Sequence, residues 1–241
     1  MILPSAATLY DVIDATWPAA FKTNVGPWVI RTGLSGGSRV SATTARQPAK
    51  ADDLRLAETK MRALDQSCIF MIRDGDAALD VMLANTGYEI KDPVGLFAAP
   101  IADIATTRPP PVTSFQVWPP LHCQREIWEA GGVDAARIAI MDRAACPKST
   151  FLGRAKERPA GTVYAGISHG ITMLHALEIK EQDKRQGIGR HLTRAVAFWG
   201  QSQGASHLAL LATKANVEAN ALYTSLGMQV VGQYHYRIKP D

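Results

Sequence analysis

The sequence predicts a mixed α/β fold arranged in two halves of related order. Strand-like runs alternate with amphipathic helical stretches along the 241 residues, and a polar, proline-rich segment at 106–111 interrupts this pattern near the middle. Proline fixes φ and lacks a backbone donor, so this segment continues neither a helix nor a central strand. A weak internal repeat aligns residues 76–88 with 216–228, where a short helical pattern leads to glycine and a large apolar residue. We therefore predict an N-terminal domain at 1–105, a linker at 106–111 and a second domain at 112–241.

Apolar periodicity and turn residues define the elements of the N-terminal half. Spacings of three and four residues predict helices, alternation predicts strands, and Gly36 with Gly37 marks a turn. The predicted elements are a helix at 8–17, strands at 27–31 and 39–44, a helix at 50–64, a strand at 68–72, a helix at 77–85 and a strand at 90–99. Such units also occur in mixed α/β folds without duplication, so their order alone does not establish a repeat.

The same signals define the elements of the C-terminal half. His169-Gly170 reads as a hairpin turn, and Gly204 and Gly227 as helix C-caps. The predicted elements are a helix at 121–130, strands at 137–142 and 150–156, hairpin strands at 161–168 and 171–179, a helix at 190–203, a strand at 206–213, a helix at 216–226 and a long final strand or strand pair at 228–239.

Composition narrows the class of protein. Hydrophobic residues make up 46% and charged residues 20%, which is ordinary for a soluble globular protein. The sequence has no long apolar run and no secretory leader pattern, so we expect no membrane association. The three cysteines form no CxxC pair and are widely spaced, which favours reduced thiols in a cytoplasm-like compartment. His207 and His235 have no metal-ligand spacing with cysteine or acidic residues, so we expect no metal. A net charge of +4 is too weak to indicate nucleic acid binding.

The most informative segment is residues 184–189, Lys-Arg-Gln-Gly-Ile-Gly, which leads directly into a helical pattern. Glycines before a helix allow several backbone N–H groups to approach an anion, and the helix dipole adds to the attraction. The dinucleotide fingerprint requires a small residue where this chain has Leu192, and the ATP-type loop requires Gly-Lys-Ser/Thr, which is absent. The segment therefore predicts a phosphate-binding loop of another kind.

Two motifs together resemble the GNAT superfamily of acyl-CoA-dependent N-acyltransferases. The first, Arg/Gln-x-x-Gly-x-Gly/Ala, is matched by Lys184-x-x-Gly187-x-Gly189, with lysine at the first position. The second, Asn-x-x-Ala-x-x-Leu-Tyr-x-x-x-Gly-Phe, is matched at 216–228, with Met228 in place of phenylalanine. The resemblance covers residues 112–241 and implies a mixed, mostly antiparallel sheet flanked by helices. The N-terminal half more loosely resembles the degenerate GNAT-like half of some members, which implies two tandem units.

The resemblance implies one binding site for acetyl-CoA or another acyl-CoA, in the C-terminal half, because the N-terminal half has no glycine loop. Backbone N–H groups of the loop are expected to hold the pyrophosphate, and the two strands before the helices are expected to splay around pantetheine. Asn216 is expected to cap its helix or reach pantetheine. The implied cosubstrate-binding residues are Leu177, Ile179, Lys184, Arg185, Gln186, Gly187, Ile188, Gly189, Arg190, Asn216 and Tyr223.

Three side chains are the candidate catalytic residues. An amine of pKa near 10.4 must lose a proton before it attacks a thioester, so a base on the strand facing the acceptor is useful. His175 is the first candidate, because simple alternation places it on one face with Leu177 and Ile179. Glu178 is the second candidate, since a bulge would reverse its assignment to the other face. Tyr223 matches the family tyrosine that commonly protonates the departing thiolate. The competing interpretation of His175 is a core or surface histidine, and that of Tyr223 is a packing tyrosine.

The predicted function is transfer of an acetyl group from acetyl-CoA to a primary amine, by direct attack in a ternary complex. The alternative is a GNAT-like protein that binds acyl-CoA without catalysis, as a sensor or regulator, and a weaker one gives the N-terminal half a purely structural role. The acceptor is expected to be a small-molecule or peptide amine, and the protein a monomer or homodimer.

Overall fold

The computed structural model describes residues 1–240, and strands and helices alternate through both halves of the chain. In chain order, the strands are β1 Phe21–Val25, β2 Trp28–Thr32, β3 Thr44–Ala45, β4 Ile69–Arg73, β5 Glu89–Pro100, β6 Ser114–Val117, β7 Lys148–Ala155, β8 Arg158–Ser168, β9 Ile171–Ile179, β10 His207–Thr213 and β11 Gln229–Ile238. The helices are α1 Ala6–Thr16, α2 Ser38–Ser41, α3 Ala51–Arg62, α4 Ala77–Asn85, α5 Ile101–Ile104, α6 His122–Ala130, α7 Ala135–Arg143, α8 Ile188–Ser202 and α9 Val217–Ser225. None of these helices is long and apolar enough to cross a membrane.

Eight strands form one continuous sheet in the order β4-β11-β5-β10-β9-β8-β7-β6. Strands β9 and β10 run parallel, and the other neighbours in this sheet are antiparallel. Strands β1, β2 and β3 form a separate sheet in the N-terminal half. The prediction of a mixed, mostly antiparallel sheet flanked by helices is therefore confirmed.

Each half contributes a strand–helix–strand unit to the large sheet, and the two units exchange their last strands. The N-terminal unit is β4–α4–β5 and the C-terminal unit is β10–α9–β11, with α4 and α9 offset by 140 positions (77 to 217). Strand β5 pairs with β10, and β11 pairs with β4. The strand registers obey the same offset. Ile69 pairs with Ile238, and Ala209 and Ala98, the positions that correspond to them in the other half, also pair with each other. The structure thus contains the internal repeat that the sequence pattern indicates.

Helices cover both faces of the large sheet. On one face α8 packs through an apolar stripe with spacings of three and four residues, and α9 lies beside it. The buried members of the α8 stripe are Ile188, Leu192, Val196 and Trp199. On the opposite face α1, α6 and α7 bury a second layer that includes Trp128 and Tyr164. The position that excludes the dinucleotide fingerprint, Leu192, is therefore a core residue.

Two predicted strands are wrong. Residues 137–142 lie in helix α7, which starts where the Asp134 side chain accepts a hydrogen bond from the Arg137 N–H at 3.0 Å. The alternation of buried Ile138 and Ile140 imitates a strand, but Met141 is buried as well, which fits a helix face. Residues 39–44 split into the single turn of α2 and the short strand β3, because the chain turns sharply after Gly37.

Candidate active site

A cleft opens in the sheet where β9 and β10 separate. The two strands pair only from Ile171 to Leu174 on β9 and from His207 to Leu210 on β10. Beyond that point they diverge, and the cleft between them has a volume of about 820 Å³. The ends of both strands, the loop before α8 and one side of α9 line it. The expected splay is present, and the cleft is large enough for a sizeable small-molecule ligand.

A bulge on β9 determines which side chains face each side of the sheet. Ala176 has a left-handed backbone, φ +49°, and the pairing with β8 shifts between Thr162 and Tyr164. His175 pairs with Tyr164 and Glu178 with Thr162, two positions on one face of β8. The assignment of His175 to the face of Leu177 and Ile179 is therefore wrong. His175 and Glu178 share one face, and the two apolar residues pack toward α8 on the other.

The indole of Trp128 stabilises this bulge. Its Nε1–H donates to the carbonyl oxygen of Ala176 at 2.7 Å. The ring is completely buried between α6 and the sheet. A left-handed alanine costs about 1–2 kcal/mol relative to ordinary backbone, so a buried hydrogen bond at this carbonyl helps to maintain it. Because β9 bulges here, its backbone beyond Leu174 is left to face the cleft.

The loop before α8 presents backbone donors at the open end of the cleft. Gly187 has φ +81°, which glycine adopts without strain, and no side chain in the described part of the chain caps the helix after it. Within residues 1–240, the first N–H after Lys184 to have a backbone acceptor is that of His191, which donates to Gly187 O at 3.0 Å. A Cβ on Gly189 would lie 3.1 Å from Leu222, so a small residue keeps α8 close to α9. The donors and the helix dipole suit a pyrophosphate.

The polar side chains of this loop contact other residues and do not occupy the backbone N–H groups. Lys184 forms an ion pair with Glu181 at 2.6 Å, and Arg185 lies 3.4 Å from Glu218. Arg190 donates to Ser225 at 3.1 Å. Gln186 donates to the carbonyl oxygen of Gln182 at 3.2 Å, and it is the one predicted site residue outside the cleft lining. The N–H groups thus remain accessible from the cleft, and the cations surround them.

The N-terminus of α3, the long helix of the N-terminal half, differs from that of α8. Its first turn carries Asp52 and Asp53, and the Asp53 carboxylate accepts a hydrogen bond from the Lys50 N–H at 2.8 Å. A carboxylate already occupies this helix end, so it repels a phosphate. A single acyl-CoA site, in the C-terminal half, stays a prediction.

Glu178 lies on the cleft wall, half-buried against the end of α6. A Cβ on Gly131 would lie 2.6 Å from its carboxylate oxygen, so the carboxylate lies directly against that glycine. Burial raises the pKa of Glu178 above its ordinary value, and the positive charges of Lys184 and Arg137 only partly oppose this. A carboxylate with a raised pKa is a better proton acceptor at neutral pH.

His175 is buried deeper, and both of its ring nitrogens have partners. Its Nε2 lies 2.8 Å from the Thr16 hydroxyl, which itself donates to the Val12 carbonyl, so the ring donates there. Its Nδ1 lies 3.3 Å from an Arg39 nitrogen and accepts from it. Burial, together with the charge of Arg39, lowers the pKa of His175 well below its ordinary value. The geometry describes a neutral, fixed imidazole in the cleft floor.

Tyr223 and Asn216 lie on α9 at the other wall. Tyr223 is 4% exposed, with its ring 5.8 Å from that of Phe97. Burial and then the charge of Glu178 raise its pKa, so the hydroxyl stays protonated at physiological pH. The Asn216 side chain accepts a hydrogen bond from the Ala219 N–H at 3.0 Å, which makes it the N-cap of α9, one of its two expected uses.

Two arginines that line the cleft are not among the predicted site residues. Arg39 comes from α2 in the N-terminal half, and Arg137 comes from α7. The Arg137 guanidinium lies across Gly37, where a Cβ would be 3.3 Å from it. The sequence shows Gly36-Gly37 as a turn, but nothing in it indicates that this turn delivers Arg39 to a strand 136 residues away.

The chain is similar to a known protein family, to a curated relative and to solved structures. The model of the acetyltransferase (GNAT) family matches residues 116–228. The chain is 24% identical to the uncharacterized N-acetyltransferase YobR of Bacillus subtilis, over 93% of this chain and 95% of that protein. A GCN5-related N-acetyltransferase structure from Kribbella flavida has a TM-score of 0.71 at 18% identity, covering 98% of this chain and 96% of that one. A tandem GNAT protein from the clavulanic acid biosynthesis pathway has a TM-score of 0.59 at 12% identity, covering 83% and 76%.

The similarity to YobR and to the two solved structures extends over both halves, whereas the family match lies in the C-terminal half. The solved structures establish the shared fold, and the family match spans the cleft from β9 to the end of α9. Members of this family use an acyl-CoA cosubstrate, and the unpartnered donors before α8 fit its pyrophosphate. The chain therefore carries an acetyltransferase domain of the GNAT family at residues 116–228.

Proposed function

We propose that the protein transfers an acetyl group from acetyl-CoA to a primary amine by direct attack in a ternary complex. The observation that carries this proposal is the coincidence of three features in one cleft. Free N–H groups lie at its open end, Glu178 lies on one wall and the Tyr223 hydroxyl lies on the other. The proposal also keeps the cytoplasm as the compartment, which the three unpaired cysteines support.

Loop donors and strand edges account for binding. The N–H groups from Gln186 to Arg190 bind the pyrophosphate, assisted by the positive end of α8. The edge of β9 beyond Leu174, which β10 no longer pairs, offers the backbone of Leu177 and Ile179 to pantetheine and to the thioester carbonyl. A backbone N–H aimed at that carbonyl stabilises the negative charge that develops on its oxygen.

Glu178 is the proposed base. At pH 7 an amine of pKa near 10.4 is protonated, and deprotonating it costs about 4–5 kcal/mol. The Glu178 carboxylate accepts this proton, and its raised pKa reduces the mismatch with the amine. His175 is less suited, because its two nitrogens are engaged and its pKa is lowered. The free amine then forms the C–N bond as the C–S bond breaks.

Tyr223 is the proposed acid. The departing thiolate takes the phenolic proton. The acylated nitrogen carries a surplus proton after the attack, and it loses this proton to the tyrosinate or to solvent to give the amide. The raised pKa of Tyr223 ensures that the proton is present when the C–S bond breaks. The ring is fixed against Phe97 in the core, so the hydroxyl is held in one place.

The test measures CoA release by chromatography, because the protein's own thiols would react with thiol reagents. Wild type, Glu178→Gln and Tyr223→Phe are assayed with acetyl-CoA and a panel of primary amines, with the exposed Glu126→Gln as matched control. We expect kcat to fall by about 10²–10⁴-fold in Glu178→Gln and in Tyr223→Phe, with an unchanged KM for acetyl-CoA.

Two results would contradict the proposal. Full activity in both variants would remove Glu178 and Tyr223 from the reaction. Binding of acetyl-CoA without release above hydrolysis for any amine would favour the non-catalytic, acyl-CoA-sensing alternative.

A further inference from the structure

Arg39 is a cation in the cleft that the structure leaves without an anionic partner. Within residues 1–240 it forms no ion pair with a carboxylate, and its Nε, like that of Arg31, is buried without a hydrogen-bond acceptor. It contacts the His175 ring nitrogen at 3.3 Å and the face of Trp17, 5.6 Å from the ring centroid. The side chains of Tyr234 and Tyr236 lie within reach of the guanidinium, and they offer it hydroxyl groups rather than a carboxylate. A charge removed from water without a counter-ion is costly, so a bound anion would stabilise this arrangement.

Another buried arginine of the same half shows what a structural role requires. The Arg31 side chain is only 5% exposed, and it pairs with Asp14 at 2.9 Å. It also donates to the Ala42 carbonyl at 3.1 Å and to the Thr44 hydroxyl at 2.9 Å. Arg39 has no carboxylate partner in the described part of the chain, and it faces the cleft. The difference indicates that the counter-ion of Arg39 comes from a ligand.

This ligand group is not the pyrophosphate of CoA. The loop that suits the pyrophosphate starts α8, which packs on the face of the sheet that includes Leu174. Arg39 contacts His175, whose side chain lies on the opposite face with Trp17 and Tyr164. The loop before α8 and Arg39 therefore lie on opposite faces of the sheet.

Arg39 lies close to the proposed base. His175 and Glu178 pair with positions two residues apart on β8, so they are about 7 Å apart along the strand. An amine near Glu178 and an anionic group near Arg39 therefore fit within one small molecule. Arg137, the second cation of this wall, adds positive potential there.

Resting on the proposed function, we propose that the acceptor is a small amine bearing a carboxylate, that is, an amino acid. Its carboxylate binds the Arg39 guanidinium while its amino group faces Glu178. The planar, forked guanidinium matches the two oxygens of a carboxylate. The N-terminal half would then supply acceptor specificity, and the C-terminal half the acetyl donor and the chemistry.

The test compares matched acceptors in the full-length protein. The twenty standard amino acids, their α-amides and the corresponding decarboxylated amines are assayed with acetyl-CoA by CoA release. We expect at least one amino acid to exceed its amide and its decarboxylated amine in kcat/KM by about 30-fold or more. Arg39→Gln should remove that preference by raising KM for the amino acid, while kcat/KM for the amide changes little.

Two further variants control this comparison. Arg39→Lys keeps the charge but not the fork and should retain part of the preference. Arg125→Gln, on the exposed side of α6, should behave as wild type. A thermal shift with acetyl-CoA verifies that each variant is folded and binds the donor.

Each outcome bears on a different proposal. Equal use of amides and amino acids, or an equal loss for both in Arg39→Gln, would overturn the carboxylate inference and leave the acetyltransferase intact. Acetyl-CoA binding with no release for any acceptor would instead overturn the proposed function, and this inference with it.

Discussion

Substitution of Gly187 by alanine isolates the role of the loop before α8. Gly187 has φ +81°, and a Cβ added there would lie 3.8 Å from the nearest atom, on the His191 ring. The added methyl group therefore causes no steric clash, and the substitution destabilises the fold only through backbone strain of about 1–2 kcal/mol. In a chain of this length that lowers Tm by about 2–8 °C. To relieve the strain, the loop must rotate its N–H groups away from the pyrophosphate.

Gly204 provides a matched control at the other end of the same helix. Its φ is +83°, and no atom of residues 1–240 lies within 4 Å of an added Cβ, so Gly204→Ala carries the same strain. We expect both variants to lose similar stability in thermal unfolding, but only Gly187→Ala to raise the KM for acetyl-CoA, by about tenfold or more. A Gly187→Ala variant that loses stability but keeps its KM would refute the assignment of the loop to pyrophosphate binding.

Two further predictions concern the buried histidine and the domain division. The pKa of His175 is lower in the folded protein than its unfolded value of about 6.5. The buried neutral ring therefore makes its full contribution to stability at pH values above about 6.5. That stability falls with decreasing pH, by up to about 1.4 kcal/mol per unit below 6.5. In urea unfolding at several pH values His175→Gln should show a shallower dependence, and parallel curves would contradict the neutral imidazole. We also propose domains at 1–105 and 112–241 joined by the linker 106–111. Fragment 112–241 alone should lack a cooperative thermal transition, because β10 and β11 lose the strand between them, and co-expression with 1–105 should restore it. Independent folding of that fragment would show that the exchanged strand is dispensable.

Local signals were sufficient for much of this fold. Apolar alternation and the His169-Gly170 turn predict the β8–β9 hairpin, and the helix at 77–85 agrees with α4 at both ends. The glycine loop and the tyrosine of the second motif meet in one cleft, as expected. These features depend on residues close together in the sequence, where periodicity and turn chemistry act directly.

Features that depend on distant partners were not predictable in the same way. The bulge occurs at an alanine, which carries no sequence signal for a left-handed backbone, and its stabilising partner is the distant indole of Trp128. The exchange of β5 and β11 likewise depends on pairing between the two halves. Arg39 reaches His175 only after the whole sheet has formed. Each of these is decided by tertiary packing, which overrides local preference.

Hydrogen exchange of the backbone amides, with and without coenzyme A, tests the central claim most directly. The claim is that one acyl-CoA site exists and that the N–H groups before and at the start of α8 form its core. We predict slower exchange at residues 185–190 when coenzyme A is added, and no change at 50–55, where Asp53 already caps α3. Protection at 50–55, or unchanged exchange at 185–190 under saturating coenzyme A, would contradict the account.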